Sequence, residues 1–137
     1  MKPTLQAGIA ITREYPVDRG RTIDFMGEDA CVYATPMLVR DIEVSCRDLL
    51  LEHLEPGEDS VGTRVEIDHL AATLLGMQIT ITATLAELKG RAAIFEVSAS
   101  DGVDVVCRGR HGRFIVNVEQ VKQRLKQKQA KAQQIAA

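Results

Sequence analysis

Tryptophan is absent from these 137 residues, and only two tyrosines and three phenylalanines are present. With so few rings for base stacking and a net charge of −2, the chain is a poor candidate for nucleic-acid binding. Cysteine is scarce too. Cys31, Cys46 and Cys107 are odd in number and widely spaced, with no Cys-x-x-Cys pair and no histidine at zinc-finger spacing. That argues against a disulfide framework and against structural zinc, so no metal is expected. No apolar run approaches the ~20 residues of a membrane span. The start, Met1-Lys2-Pro3-Thr4, leads into alternating residues without the apolar core of a signal peptide. A cytoplasmic location without membrane contact is the default expectation.

What is there is a domain-sized chain, 45% hydrophobic and 26% charged, long enough to bury a real core. Charge is unevenly spread. Residues 118–137 carry Lys122, Arg124, Lys126, Lys128 and Lys131 against Glu119 alone, which reads as a basic, solvated C-terminal helix after a body spanning 1–117. Asn117 and Gln120 supply a capping-box start for it.

The body reads as strand, loop, long helix and a run of strands. Leu5 to Tyr15 alternates and is stopped by Pro16. Thr35 is a good N-cap before Pro36 at the first helical position, and the helix should run to about Leu54, where Glu55-Pro56-Gly57-Glu58-Asp59 forces a turn. Segments Val61 to Leu70, Gly76 to Leu88, Arg91 to Ser100 and Asp104 to Asn117 alternate as strands, with Lys89-Gly90 and Asp101-Gly102 as hairpin turns. These predict four strands in meander, with a curved antiparallel sheet enclosing the whole circumference of the helix, an α+β hot-dog arrangement.

Chemistry concentrates at three positions. The helix is apolar nearly all round (Met37, Leu38, Val39, Ile42, Val44, Cys46, Leu49), yet Glu43 sits between Ile42 and Val44. A carboxylate there is either paired or does chemistry with a raised pKa. Alternation places Val61, Thr63, Val65, Ile67 and His69 on one face of the next strand, so His69 and Glu43 are expected to share one partly desolvated space. Hydroxyl, carboxylate and imidazole from Thr35, Glu43 and His69 suffice for ester or thioester hydrolysis. Taken singly, each residue has a plainer explanation, as a cap, a structural ion pair and a core histidine. His111 shares its face with Cys107 and Ile115 and reads as structural, or as a packing partner of Arg113.

These three residues, together with Glu-Pro-Gly-Glu-Asp-Ser-Val-Gly (55–62), Asp68-His69-Leu70-Ala71-Ala72-Thr73 and Arg110-His111-Gly112-Arg113-Phe114, resemble the fluoroacetyl-CoA thioesterase-like family of hot-dog hydrolases. The resemblance runs from about Leu5 to Asn117. It implies an acyl-CoA thioesterase working as a homodimer or a higher assembly, with coenzyme A as part of the substrate and no separate cofactor. It assigns Thr35, Glu43 and His69 to catalysis, Gly62 to the catalytic pocket and Arg113 to a place close to the ligand. Two departures are visible. The fluoroacetyl-specific members have a longer, phenylalanine-bearing lid before the helix, whereas Met26 to Ala34 is short and lacks phenylalanine, and Gly112 stands where a glutamate is usual. Broad use of short acyl groups is therefore expected. The alternatives are a non-catalytic acyl-CoA or small-ligand binder of the same fold, and a hot-dog dehydratase, for which the histidine usual at the helix start is replaced by Thr35.

Overall fold

The computed structural model describes residues 1–136; the last position of the basic tail, Ala137, lies outside them. A long helix, α1, spans Thr35–Leu51. Its first intrahelical hydrogen bonds run from Met37 N and Leu38 N to the Ala34 carbonyl, both at 3.0 Å. Ala34, in extended conformation, is therefore the cap, and Thr35 is the first helical residue rather than the N-cap that its sequence position suggests. The displacement leaves the threonine hydroxyl free for another partner.

Five strands form where alternation predicts strands: β1 (Ala10–Pro16), β2 (Glu58–His69), β3 (Gln78–Lys89), β4 (Ala92–Ser100) and β5 (Val105–Asn117). They form one antiparallel sheet in the order β1-β3-β4-β5-β2. Two expectations are corrected here. The first strand begins at Ala10 rather than Leu5, because Gly8 takes φ +103°, a left-handed conformation that breaks the pleat. The meander comprises only β3, β4 and β5, since β2 crosses to the far edge and pairs with β5. Period-two alternation reports which face a side chain takes and is blind to which strand lies alongside.

The concave face of the sheet receives α1. Leu38, Ile42, Cys46 and Leu50 of the helix are buried against a core that includes Ile79, Ile81, Leu85, Phe95 and Ile115, each large side chain contributing about 1.5–3 kcal/mol. Enclosure is not complete. Pro36, Arg40 and Arg47 form an exposed stripe on α1, so the sheet covers the helix on one side only. A second helix, α2 (Val118–Ala136), leaves β5 directly. Asn117 Oδ1 caps it by accepting from Gln120 N at 3.1 Å, and no residue of α2 is buried.

Candidate active site

The site is built in two parts, both on the seam between α1 and β2. At the N-terminus of α1, Thr35 Oγ1 lies 2.7 Å from His69 Nδ1, the last residue of β2. Either atom can donate, depending on the imidazole tautomer. His69 Nε2 is buried without a hydrogen-bond partner among the described residues, and the Tyr33 ring packs edge-to-face on the imidazole, with centroids 6.2 Å apart. Burial pushes the His69 pKa below its ordinary value, and a weaker interaction with the Ala71 backbone works the other way. A cleft of about 350 Å³ opens over this pair, lined in part by Ile23, Phe25, Val32, Leu70 and Ala72. Phe25 is 78% exposed. The loop before the helix thus does carry a phenyl group, one position upstream of the segment Met26 to Ala34.

The second part lies two turns along α1. Glu43 Oε2 accepts from Arg113 Nη1 at 3.3 Å. The arginine is buried, and its Nε and Nη2 donate to the Ser60 hydroxyl (2.7 Å) and carbonyl (2.9 Å). His111 completes the group. Its Nδ1 lies 2.8 Å from the Arg64 carbonyl, to which it must donate, so Nε2 keeps its lone pair and accepts from Arg113 Nη1 at 3.2 Å. This requires neutral His111, and burial, aided by the Arg113 charge, holds its pKa low. Burial also lowers the Arg113 pKa, an effect that the Glu43 carboxylate opposes.

Gly62 faces this carboxylate directly. A Cβ there would stand 2.6 Å from Glu43 Oε2 and 3.4 Å from His111 Cε1, so only glycine permits the approach. The geometry depends on a β-bulge. The register with β5 shifts between Gly62 and Arg64, with Gly62 opposite Arg113 and His69 opposite Cys107. The extra residue, Thr63, turns both Ser60 and Gly62 before it and Val65, Ile67 and His69 after it toward the helix. Val61 consequently pairs with Phe114 on the outer face, where both are exposed, rather than sharing the face of His69. Gly62→Ala should fold, since the obstructed atom ends a flexible side chain, but it should displace the carboxylate and lower kcat by about 10²-fold. A variant with unchanged kcat and a normal melting curve would mean that Glu43 need not sit where it does.

Every residue named from the sequence falls in one part or the other, but the parts stay separate within the chain. No hydrogen bond or ion pair joins Glu43 to His69 among the described residues, and eight residues of helix place Thr35 and Glu43 about 12 Å apart. The expectation that Glu43 and His69 share one space is therefore corrected within the chain: Arg113 is the partner of the carboxylate and Thr35 that of the imidazole. Ser60, Tyr33 and Phe25 escaped sequence reasoning. Cys107, opposite His69, is no thiolate nucleophile, because burial raises its pKa to about 11. No group of acidic, cysteine or histidine side chains among the described residues could hold a metal ion.

Residues 17–119 match the family model for FlK, the fluoroacetyl-CoA-specific thioesterase. The chain is 33% identical over 135 residues to the fluoroacetyl-CoA thioesterase of Streptantibioticus cattleyicolor, covering 93% of this chain and 97% of that protein. Among solved structures, a thioesterase superfamily member from Thermus thermophilus superposes with a TM-score of 0.86 at 26% identity, over 96% of this chain and 98% of the other. A mutant of FlK in complex with fluoroacetate and CoA superposes with a TM-score of 0.78 at 32% identity, over 85% and 99%. A helix against a five-stranded antiparallel sheet, the order of the strands and these likenesses agree: the chain has the hot-dog fold and belongs to the fluoroacetyl-CoA-specific thioesterase family.

Proposed function

We propose that this chain is an acyl-CoA thioesterase that hydrolyses small acyl-CoAs to the free acid and coenzyme A. The observation that carries the reading is the Thr35–His69 hydrogen bond at the floor of an open cleft, in a chain one third identical to an enzyme of that activity. Glu43, His69 and Thr35 are the catalytic groups. Glu43 attacks the thioester carbonyl or activates the water that does; His69 takes and returns the proton; Thr35 orients the imidazole through Nδ1. Arg113, locked on Ser60, holds the Glu43 carboxylate by a hydrogen bond and aims it past Gly62, where a backbone N–H can meet the developing oxyanion. Thiolate leaves readily, so an activated oxygen and a positioned carbonyl account for most of the work.

One subunit leaves this machinery divided. A second copy along β2 would complete it, because β2 is a sheet edge with Val61 and Val65 exposed. We therefore expect a homodimer in solution, and light scattering that finds a fully active monomer would contradict it. The buried cysteines are all free, which suits a reducing compartment such as the cytoplasm.

Incubation with a panel of acyl-CoAs and a thiol reagent tests the activity, because free coenzyme A appears only if the thioester is cleaved. The competing reading, a ligand-binding protein without turnover, draws on the ion pair that damps Glu43 as a nucleophile; binding without thiol release would favour it. Within the panel, several short or branched acyl groups should be turned over. An exposed Phe25 does not seal the cleft, and one small substituent in an apolar pocket is worth about 1–3 kcal/mol. A kcat/KM ratio of fluoroacetyl-CoA over acetyl-CoA above roughly 10⁴ would exceed simple fit and require closure of that loop on the substrate.

A further inference from the structure

Asp41, in the middle of α1, is fully buried, and nothing in the reaction calls on it directly. Its carboxylate accepts three hydrogen bonds. Arg21 Nε reaches Oδ2 at 3.0 Å and Arg21 Nη2 reaches Oδ1 at 3.2 Å, a bidentate pair, while the Tyr33 hydroxyl donates to Oδ2 at 2.5 Å. Arg21 is tied to Asp18 as well, at 3.2 Å, and lies 5.2 Å over the Tyr15 ring. As a device for stability alone this is a poor choice, since apolar residues of similar volume often serve as well as a buried ion pair. What the network does have is reach. Tyr33 is 2% exposed, its ring T-shaped against His69 and its backbone N–H on the Thr73 carbonyl at 2.9 Å, in the segment that follows His69. The Arg21 carbonyl accepts from Ala34 N at 2.8 Å, the residue that caps α1 and precedes Thr35. One carboxylate therefore fixes the ring that abuts His69 and the backbone that delivers Thr35.

We propose that Asp41 is a positioning residue for this reaction, acting through Tyr33 on the His69 ring and through Arg21 on the backbone entering Thr35, so that the 2.7 Å hydrogen bond between them is held in its reacting geometry. The inference rests on Thr35 and His69 taking part in the hydrolysis proposed above. It differs from a purely structural role in what it moves. Loosening the network should lower kcat while leaving KM nearly unchanged, and the loss should pass through His69.

The test uses Tyr33→Phe, which deletes one oxygen and keeps the ring, alongside Asp41→Asn. Each should reduce kcat by about 10-fold to 10²-fold, the scale of a small misplacement, with KM within about threefold. In a His69→Ala background the same changes should cost nothing further, because residues that act through one another are not additive. Losses that multiply in that background, or that appear in KM alone, would overturn the proposal. A second arm is independent of turnover: nitrogen-15 NMR of the imidazoles should show His69 changing tautomer balance or exchanging between ring states in the folded variants. Unchanged His69 signals would overturn the proposal even if no acyl-CoA is hydrolysed, whereas absent hydrolysis by the unmodified protein would overturn the thioesterase reading alone. If Asp41→Asn does not fold, Tyr33→Phe carries both arms.

Discussion

Glu43→Gln should lower kcat for thioester hydrolysis by about 10³-fold, inside the 10²-fold to 10⁴-fold range for loss of a positioned acid or base. The amide is nearly isosteric, and its oxygen can still accept from Arg113 Nη1, so the side chain should stay beside Gly62. It can neither attack a carbonyl nor take a proton from water. Stability should suffer less than the 3–5 kcal/mol typical of breaking a fully buried pair, because the Glu43 side chain is 42% exposed and water screens the charge left on Arg113. Turnover at the level of the unmodified protein would remove Glu43 from the mechanism. Loss of activity with loss of folding would shift the explanation to Arg113, whose buried guanidinium would then depend on the carboxylate.

His69→Ala should cost about 10²-fold or more in kcat, and a change confined to KM would assign the imidazole to binding. The pH profile separates the roles further. Burial lowers the His69 pKa, so the neutral, proton-accepting form persists below the ordinary value near 6.5. The acid limb of kcat/KM should therefore have its midpoint on the acid side of 6.5, and His69→Ala should abolish that limb. Stability carries the same sign. His69 and His111 are both depressed, so the unfolded chain binds more protons as pH falls from about 6.5 through their folded values, and stability declines across that window. Below it, these two residues contribute no further change.

The residues proposed for the chemistry are legible in the sequence because they break a pattern: Glu43 interrupts an apolar helix and His69 ends an apolar strand face. Their pairing is not. Ser60 locks Arg113 only because β2 lies beside β5, and strand order leaves no trace in alternation. Alternation puts Val61 on the wrong face because a bulge is one residue long and has no composition of its own. Asp41 could have been found, since Leu38, Asp41, Ile42 and Ser45 fall on one helical stripe, and a carboxylate there demands partners as much as Glu43 does. Phe25 lies one residue upstream of the short segment Met26 to Ala34, so that segment's composition alone does not reveal it.

Thr63 gives β2 two reading phases in a single strand. Up to Gly62 the even-numbered residues face the helix, and from Val65 onward the odd-numbered ones do. The two halves of the site use different phases: Ser60 and Gly62 serve Glu43 and Arg113, while His69 serves Thr35. Removing that one residue would restore an unbroken pleat and turn one half outward, however faithfully every other side chain were kept. The spacing between Gly62 and His69 is thus part of the candidate site, and a chain that kept Thr35, Glu43, Gly62, His69 and Arg113 at a distance one shorter would hold the two halves on opposite sides of a wall.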